Sequence, residues 1–205
     1  MIWFTSDLHI GHKNISGPSQ SSWKSGYRTF PTLEEHDNTL INTLNKYVQP
    51  TDTLYILGDI TFKSREFLED IFYRINCNNI HCLLGNHDSA LSKIHASFPS
   101  TDTEYPSIYS KVKSINHYLK LNLNNTTLIL FHYPIASWEN MYRNSIQLHG
   151  HSHNRFTPKG RQLDVGVDSA YHRFNEYRPF SLPEIIELLK ETLPDLTIET
   201  EPNND

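Results

Sequence analysis

The chain has 205 residues, of which 37% are hydrophobic and 20% are charged, a composition typical of one soluble globular domain. Its formal net charge is −5, which argues against the basic surface that long nucleic acids require. The sequence shows neither a signal peptide nor an apolar run long enough to cross a membrane, so we expect no membrane partner.

Four short apolar runs predict buried strands, because each is bounded by turn-forming or polar residues and is too short for a helix. Each run leads into Asp, Asn or His. The runs cover residues 2–5, 53–57, 80–84 and 128–131. The last run belongs to a hairpin predicted at residues 118–131, with Asn124 and Asn125 at its turn.

Helices separate and follow these strands. Apolar residues at helical spacing predict helices at residues 33–48, 67–75 and 185–189. Capping boxes mark the start of the first and the last helix: Thr32 with Glu35, and Ser181 with Glu184. Residues 16–31 and 89–110 are predicted to be irregular. Strand–helix alternation followed by β-rich segments predicts an α/β sandwich.

Polar residues at the strand ends form the candidate site. Asp7 and His9 lie two residues apart after the first strand, so the pleat of a strand directs both side chains to the same side. Functional residues gather beyond the carboxyl ends of the strands in open α/β sheets. If these ends converge, five further residues complete two adjacent metal sites: Asp59, Asn86, His132, His151 and His153. Oxygen and imidazole ligands together favour Mn²⁺, Fe²⁺ or Zn²⁺ over Ca²⁺.

Five sequence blocks resemble those of the calcineurin-like metallophosphoesterases and follow that family's order. The blocks are Asp7-Leu8-His9, Gly58-Asp59, Gly85-Asn86-His87-Asp88, His132-Tyr133-Pro134 and Gly150-His151-Ser152-His153. A narrower similarity links residues 7–15 and 165–168 to small single-domain bacterial and phage members. The resemblance implies the α/β fold of that family, a two-sheet α/β/β/α sandwich.

The resemblance also implies a role for each block. Asp7, His9 and His153 would bind a first metal ion, Asn86, His132 and His151 a second, and Asp59 would bridge the two. Mn²⁺ is the expected metal, and Fe, Zn, Ni or Co could take its place. A hydroxide bridging the two metal ions would attack phosphorus in line. His87 would bind the phosphate and protonate the leaving oxygen.

Residues near the first block have two interpretations each. His12 and Asn14 contact the substrate phosphate or hold the loop after the first strand. Arg28 binds phosphate or is a solvated loop charge. Trp23 and Tyr27 are candidates to stack on a nucleotide base.

Residues later in the chain are equally open to two interpretations. His149 supports a metal ligand or is simply buried, and Trp138 walls the substrate cleft or packs in the core. Asp168 resembles a structural cap of its turn. Many relatives carry an acid shortly after the Gly-Asp block, where this chain has Ile60-Thr61-Phe62. Asp88 is therefore the candidate for orienting the catalytic histidine.

Domain limits and compartment follow from simpler features. We expect a single domain over residues 1–201 and a frayed tail over residues 202–205. Cys77 and Cys82 are the only cysteines, and two reduced, packed thiols are favoured over a disulfide or a zinc pair. We therefore expect a cytoplasmic protein, in the host cytoplasm if a phage encodes it.

The sequence predicts an enzyme that hydrolyses a phosphate ester. A small nucleotide-like phosphodiester is the favoured substrate, since the acidic chain shows no basic stripe for a long nucleic acid. Competing functions are a nuclease, a phosphomonoesterase or phosphoprotein phosphatase of the same family, and a non-catalytic protein-binding scaffold. The scaffold is disfavoured because every expected ligand type and His87 are present.

Overall fold

The computed structural model describes residues 1–17, 28–97, 110–123 and 126–192, and these contain nine strands and six α-helices. The strands are β1 (Ile2–Thr5), β2 (Thr53–Ile56), β3 (Ile80–Leu83), β4 (Val112–Asn116), β5 (Tyr118–Leu123), β6 (Thr126–Phe131), β7 (Ile146–His149), β8 (Gln162–Asp164) and β9 (Phe180–Ser181). The helices are α1 (Lys13–Ser16), α2 (Leu33–Tyr47), α3 (Arg65–Arg74), α4 (Ser89–Ser97), α5 (Val167–Phe174) and α6 (Leu182–Leu189).

The strands form two mixed sheets. The first has the order β4-β3-β2-β1-β9, with β1 to β4 parallel and β9 antiparallel to β1. The second has the order β5-β6-β7-β8, in which β6, β7 and β8 are parallel. A parallel bridge between Ser6 and Gly166 joins the two sheets just beyond β1 and β8. The carboxyl ends of β1, β2 and β3 therefore lie at one edge, beside the ends of β6 and β7.

The pleat divides the buried side chains between two clusters. Leu54 and Ile56 of β2 pack in a cluster with the apolar faces of α2, α3 and α4. Tyr55 and Leu57 point the other way and pack in a cluster with residues of β6, β7 and β8. The first sheet thus lies between a helical layer and the second sheet. The predicted α/β sandwich of the phosphoesterase type is confirmed.

The capping box predicted at α6 is confirmed, and of the one predicted at α2 the structure shows the Thr32 half. The Thr32 hydroxyl accepts a hydrogen bond from the Glu35 N–H at 3.0 Å, and α2 follows. Both halves of the Ser181 and Glu184 capping box are present at α6. Cys77 and Cys82 are buried free thiols, as predicted.

One of the two segments predicted to be irregular needed correction. Residues 89–97 form α4, which buries Ala90, Leu91 and Ile94 at helical spacing. Within residues 16–31, the last residue of α1 is Ser16, and the described remainder has no helix or strand. Residues 18–27, the turn at 124–125 and the tail at 202–205 lie outside the described residues. No helix in the described part of the chain is both long and apolar enough to cross a membrane.

Candidate metal centre

The loops after β1 and β2 are joined by backbone hydrogen bonds. The Asp7 N–H donates to the Gly58 carbonyl at 3.0 Å, and the His9 N–H donates to the Asp59 carbonyl at 2.9 Å. These bonds extend the pairing of β1 and β2 past the strand ends. They bring Asp7, His9 and Asp59 to the edge where the sheets meet.

The backbone at the site is unusual. Five of the seven predicted ligands have positive φ, between 48° and 64°: Asp7, His9, Asp59, His151 and His153. Such conformations cost on the order of 1–3 kcal/mol each and cluster at functional sites. Asp7 and His9 converge through these turns, because β1 has already ended at Thr5. The two side chains do lie together as expected, but the turns bring them together and the pleat of a strand does not.

The first group of candidate ligands is Asp7, His9 and His153, and their ligand atoms lie within 4.8 Å of one another. The Oδ1 atom of Asp7 is 3.9 Å from Nε2 of His9 and 4.0 Å from Nε2 of His153. Both ring nitrogens of His9 are buried without a hydrogen-bond partner among the described residues. Burying an unpaired polar atom is costly, so a metal ion at this position fits the group.

The second group adds Asp59, Asn86, His132 and His151. The Oδ1 atom of Asn86 lies 3.2 Å from Nε2 of His132 and 3.0 Å from Nδ1 of His151. His132 Nδ1 is 2.7 Å from the Leu57 carbonyl, so it carries the proton and leaves Nε2 as a metal-binding atom. This donor set also fits a divalent cation.

Asp59 stands between the two groups. Its Oδ2 atom is 3.6 Å from Nε2 of His9 and 3.5 Å from Nε2 of His132. Its Oδ1 atom accepts the backbone N–H of His87 at 2.9 Å. Residue 85, which lies beside Asp59 in space, must be glycine, because a Cβ on Gly85 would lie 2.2 Å from Asp59 Oδ1. The packing therefore fixes the Asp59 carboxylate at the centre of the site.

Burial and the closeness of the candidate ligands shift their pKa values. Burial raises the pKa of Asp7 to about 7. Burial, reinforced by the charge of Arg28, lowers the pKa of His9 well below its ordinary value. Burial alone would lower the pKa of His132, but the Asp59 hydrogen bond and the charges of Asp7 and Asp59 raise it to about 9. A bound divalent cation favours the deprotonated form of each of these groups.

His87 lies at the open side of the site, with 39% of its side chain exposed and Nε2 4.0 Å from Asp59 Oδ2. Burial lowers the pKa of His87. Its ring packs on Phe62 at a centroid distance of 4.0 Å, and Phe62 also contacts the His12 ring at 4.2 Å. Both Asp88 oxygens accept backbone N–H groups instead. The expectation that Asp88 orients His87 was wrong, and Phe62 is the contact that sequence reasoning missed.

His12 and Asn14 occupy different positions. The His12 ring is partly buried, 5.5 Å from the ring of His9, and burial lowers its pKa to about 4. Asn14 is exposed on α1. The structure therefore places His12 beside the metal ligands and Asn14 at the surface.

Arg28 is buried, with 1% of its surface exposed, so its interpretation as a solvated loop charge was wrong. Its guanidinium binds both oxygens of Asp168, at 3.0 and 2.9 Å, and two backbone carbonyls. These partners also replace the predicted phosphate contact. Asp168 in turn lies 2.7 Å from Nδ1 of His153, so it supports a candidate ligand and does not cap its turn.

Burial by itself raises the pKa of Asp168, but the Arg28 charge and the hydrogen bonds from His153 and Arg28 hold that pKa well below its usual range. The carboxylate is therefore ionised. The signal in the sequence was the block at residues 165–168, which carried the narrower resemblance. Nothing in its residue types pointed to a partner as distant as Arg28.

His149 and Trp138 are both buried. His149 is fully enclosed, and its Nδ1 lies 3.0 Å from the Gly150 carbonyl. Trp138 packs with Ile129 and Met141 in a small core cluster, so it does not wall the cleft. Trp23 and Tyr27 lie outside the described residues.

An open cavity of about 620 Å³ borders the first group. His153 and Asp168 line one part of it, and Arg155, His172 and Arg173 contribute polar groups to its wall. Both arginines are exposed. The cavity therefore places positive charge beside one candidate ligand, His153.

Comparison with known proteins matches residues 1–191 to the calcineurin-like phosphoesterase family. The Gene 66 protein of Mycobacterium phage D29 is 27% identical over 190 residues, covering 83% of this chain and 89% of the relative. An uncharacterized protein of Methanocaldococcus jannaschii is 26% identical over 92% of this chain and 91% of its own length. A solved protein of unknown function from Aquifex aeolicus has the same fold, with a TM-score of 0.57, 21% identity, and coverage of 92% and 98% of the two chains. With its two His/Asp clusters, the chain therefore belongs to the calcineurin-like phosphoesterases, a metal-dependent family of hydrolases.

Proposed function

We propose that this protein is a dinuclear metal-dependent phosphodiesterase that hydrolyses small nucleotide-like diesters. The position of Asp59 carries the proposal. A single carboxylate oxygen lies 3.6 Å from the first group, at His9, and 3.5 Å from the second, at His132. One anionic oxygen between two sets of ligands is the arrangement required to share it between two cations.

The chain's residues divide the work around this oxygen. Two bound divalent cations, for which we propose Mn²⁺, supply an activated water and neutralise charge on the phosphate oxygens. Burial alone would raise the pKa of Asp59, but the hydrogen bond and charge of His132 outweigh it and lower that pKa. Asp59 is therefore ionised and ready to bind cations.

His87 supplies the proton. Its ring is the partly exposed imidazole beside Asp59, and we propose that it donates to the leaving oxygen of the ester. Burial lowers the pKa of His87 in the free protein, whereas an anionic phosphate beside the ring favours the protonated form. The hydrogen bond from the His87 backbone N–H to Asp59 Oδ1 holds residue 87 next to the Asp59 carboxylate.

Cavity size and charge support a small diester. A volume of about 620 Å³ falls in the range of small-molecule sites, which is roughly 300–1,000 Å³. Arg155 and Arg173 offer local positive charge, while the chain as a whole carries a net charge of −5. Local attraction for one phosphorylated ligand fits this balance better than tracking along a polynucleotide.

The experiment compares substrates and metals on one preparation. Protein stripped with a chelator is reloaded with Mn²⁺, Fe²⁺, Zn²⁺, Ni²⁺ or Co²⁺, and bound metal is counted by elemental analysis. Each form is assayed with bis(p-nitrophenyl) phosphate, p-nitrophenyl phosphate, cyclic mononucleotides and a long DNA duplex at equal concentration of phosphate groups. We expect two Mn²⁺ per chain and faster cleavage of the small diesters.

Other results would redirect the proposal. Efficient duplex cleavage with small diesters ignored would indicate a nuclease, and preference for the monoester would indicate a phosphatase. A protein that binds no metal and is inert with every substrate would indicate a binding scaffold.

A further inference from the structure

A buried arginine connects the chain segments that carry the first group of ligands. Arg28 Nη2 donates to the Asp7 carbonyl at 2.5 Å, and Nη1 donates to the Leu8 carbonyl at 3.0 Å. These two carbonyls lie within the turn in which Asp7 and His9 both adopt positive φ. Arg28 therefore stabilises the strained backbone turn that carries two candidate ligands.

The same guanidinium reaches the third ligand through a carboxylate. Its Nε and Nη2 donate to Oδ1 and Oδ2 of Asp168, and Asp168 Oδ2 also accepts from Nδ1 of His153 at 2.7 Å. A proton on Nδ1 leaves Nε2 of His153 as the metal-binding atom. That Nε2 faces Asp7 Oδ1 at 4.0 Å.

A second contact anchors Arg28 itself. Nη1 lies 2.7 Å from Nε2 of His36, and Nδ1 of His36 lies 2.7 Å from Asp37 Oδ1. Because arginine only donates, His36 accepts at Nε2 and donates from Nδ1. Asp37 completes this series of hydrogen bonds by accepting the Gly11 N–H at 2.9 Å. The arginine is thus fixed between α2 and the loop that follows β1.

We propose that Arg28 and Asp168 are a positioning pair dedicated to the first metal position. Among the described residues, their hydrogen bonds reach Asp7, Leu8, His36 and His153, and none reaches the second group. Side-chain contacts that do not involve the pair hold Asp59, Asn86, His132 and the His151 ring. The pair thus sets the metal affinity of the first position and does not determine that of the second. This inference rests on the proposed two-metal centre.

The test uses Arg28→Lys and Asp168→Asn. Lysine keeps the charge but cannot bind a carboxylate and two carbonyls at once with a fixed fork, and asparagine loses one acceptor oxygen. Loss of a partner that orients a metal ligand typically weakens metal affinity by about 10- to 100-fold. Calorimetric titration of metal-free protein with Mn²⁺ should therefore show one site weakened by that factor and one unchanged.

Electron paramagnetic resonance gives a readout that does not depend on catalysis. At one Mn²⁺ per chain, both variants should show an isolated Mn²⁺ signal. At two equivalents, the spin-coupled signal of the pair should be reduced relative to the wild-type protein. Activity should fall through a higher Mn²⁺ requirement and recover at high Mn²⁺ concentration.

The control is Arg178→Lys. Arg178 is also a buried arginine, and its guanidinium binds both oxygens of Glu184 at the start of α6. Its substitution should lower the thermal unfolding temperature and leave both Mn²⁺ affinities unchanged. If Arg28→Lys does not fold, Asp168→Asn carries the test.

Three results would overturn the inference. Unchanged affinity at both positions would do so, as would equal weakening at both. Wild-type protein that binds no Mn²⁺ would remove the metal centre itself and the inference with it, which distinguishes that failure from the other two.

Discussion

The Asp88 carboxylate accepts the backbone N–H of Asp59 at 2.7 Å, so the residue after His87 holds the loop that carries the bridging candidate. Its two oxygens also accept the N–H groups of Ile60 at 2.8 Å and Gly85 at 2.9 Å. Asp88 is buried, with 2% of its surface exposed. One carboxylate thus joins the loops after β2 and β3, which carry Asp59 and Asn86.

Asp88→Asn should lower the free energy of unfolding of the metal-free protein by about 1–3 kcal/mol, because an amide NH₂ must face at least one backbone N–H donor. Metal retention should weaken as the Asp59 loop loosens. Urea denaturation in the presence of a chelator measures the first effect, and elemental analysis after dialysis measures the second. Asp70→Asn, at an exposed position, is the matched control and should change neither. Equal stability of the two variants would show that the Asp88 hydrogen bonds do not hold the loop.

Asp59→Asn should abolish turnover and reduce metal binding at both positions. Asparagine keeps the size and one acceptor for the His87 N–H, so the fold should survive. The negative charge that the two groups share is lost. Elemental analysis of the reloaded variant, together with its activity, checks both effects. Two bound metals with full activity would refute the bridging role.

His87→Ala should leave the metal content near normal and lower turnover by about 100- to 10,000-fold, the range of general acid catalysis. Esters with good leaving groups need little protonation, so their loss should be smaller. A series of substituted phenyl diesters measures this dependence. His117→Ala changes an exposed histidine that is not among the candidate site residues and should be neutral. Unchanged turnover of the ester with the poorest leaving group would show that His87 is not the acid.

The convergence of the candidate ligands could be predicted because parallel neighbouring strands end at the same edge of a sheet. Asp7, Asp59 and Asn86 follow β1, β2 and β3, which are adjacent and parallel. His132 and His151 follow β6 and β7, which are also parallel neighbours. Polar residues after the four apolar runs therefore predicted most of the site, and the histidine block at residues 149–153 supplied the remaining two candidate ligands.

The supporting contacts could not be predicted, because they join residues with no shared pattern. Arg28 lies in a polar stretch and Asp168 is 140 residues further along, so the sequence shows no reason to bury the arginine. Short elements were missed for a related reason. β9 has two residues and α4 buries only three side chains, too few for a period to be recognised.

Gly150→Ala should disable the first metal position while leaving the second largely intact. A Cβ at residue 150 would lie 2.1 Å from Ser6 Oγ and 2.3 Å from Asp7 Oδ2, distances at which something must move. Ser6 and the Asp7 carboxylate must both shift to admit this Cβ, and the carboxylate also accepts the His151 N–H at 2.9 Å. Gly166→Ala is the matched control, because its Cβ would approach the same Asp7 oxygen only to 2.8 Å. Mn²⁺ titration should show a larger loss of affinity at one position for Gly150→Ala than for Gly166→Ala, with the other position retained in both. Equal Mn²⁺ binding by the wild-type protein and Gly150→Ala would show that the Asp7 carboxylate does not need its present position to bind the metal.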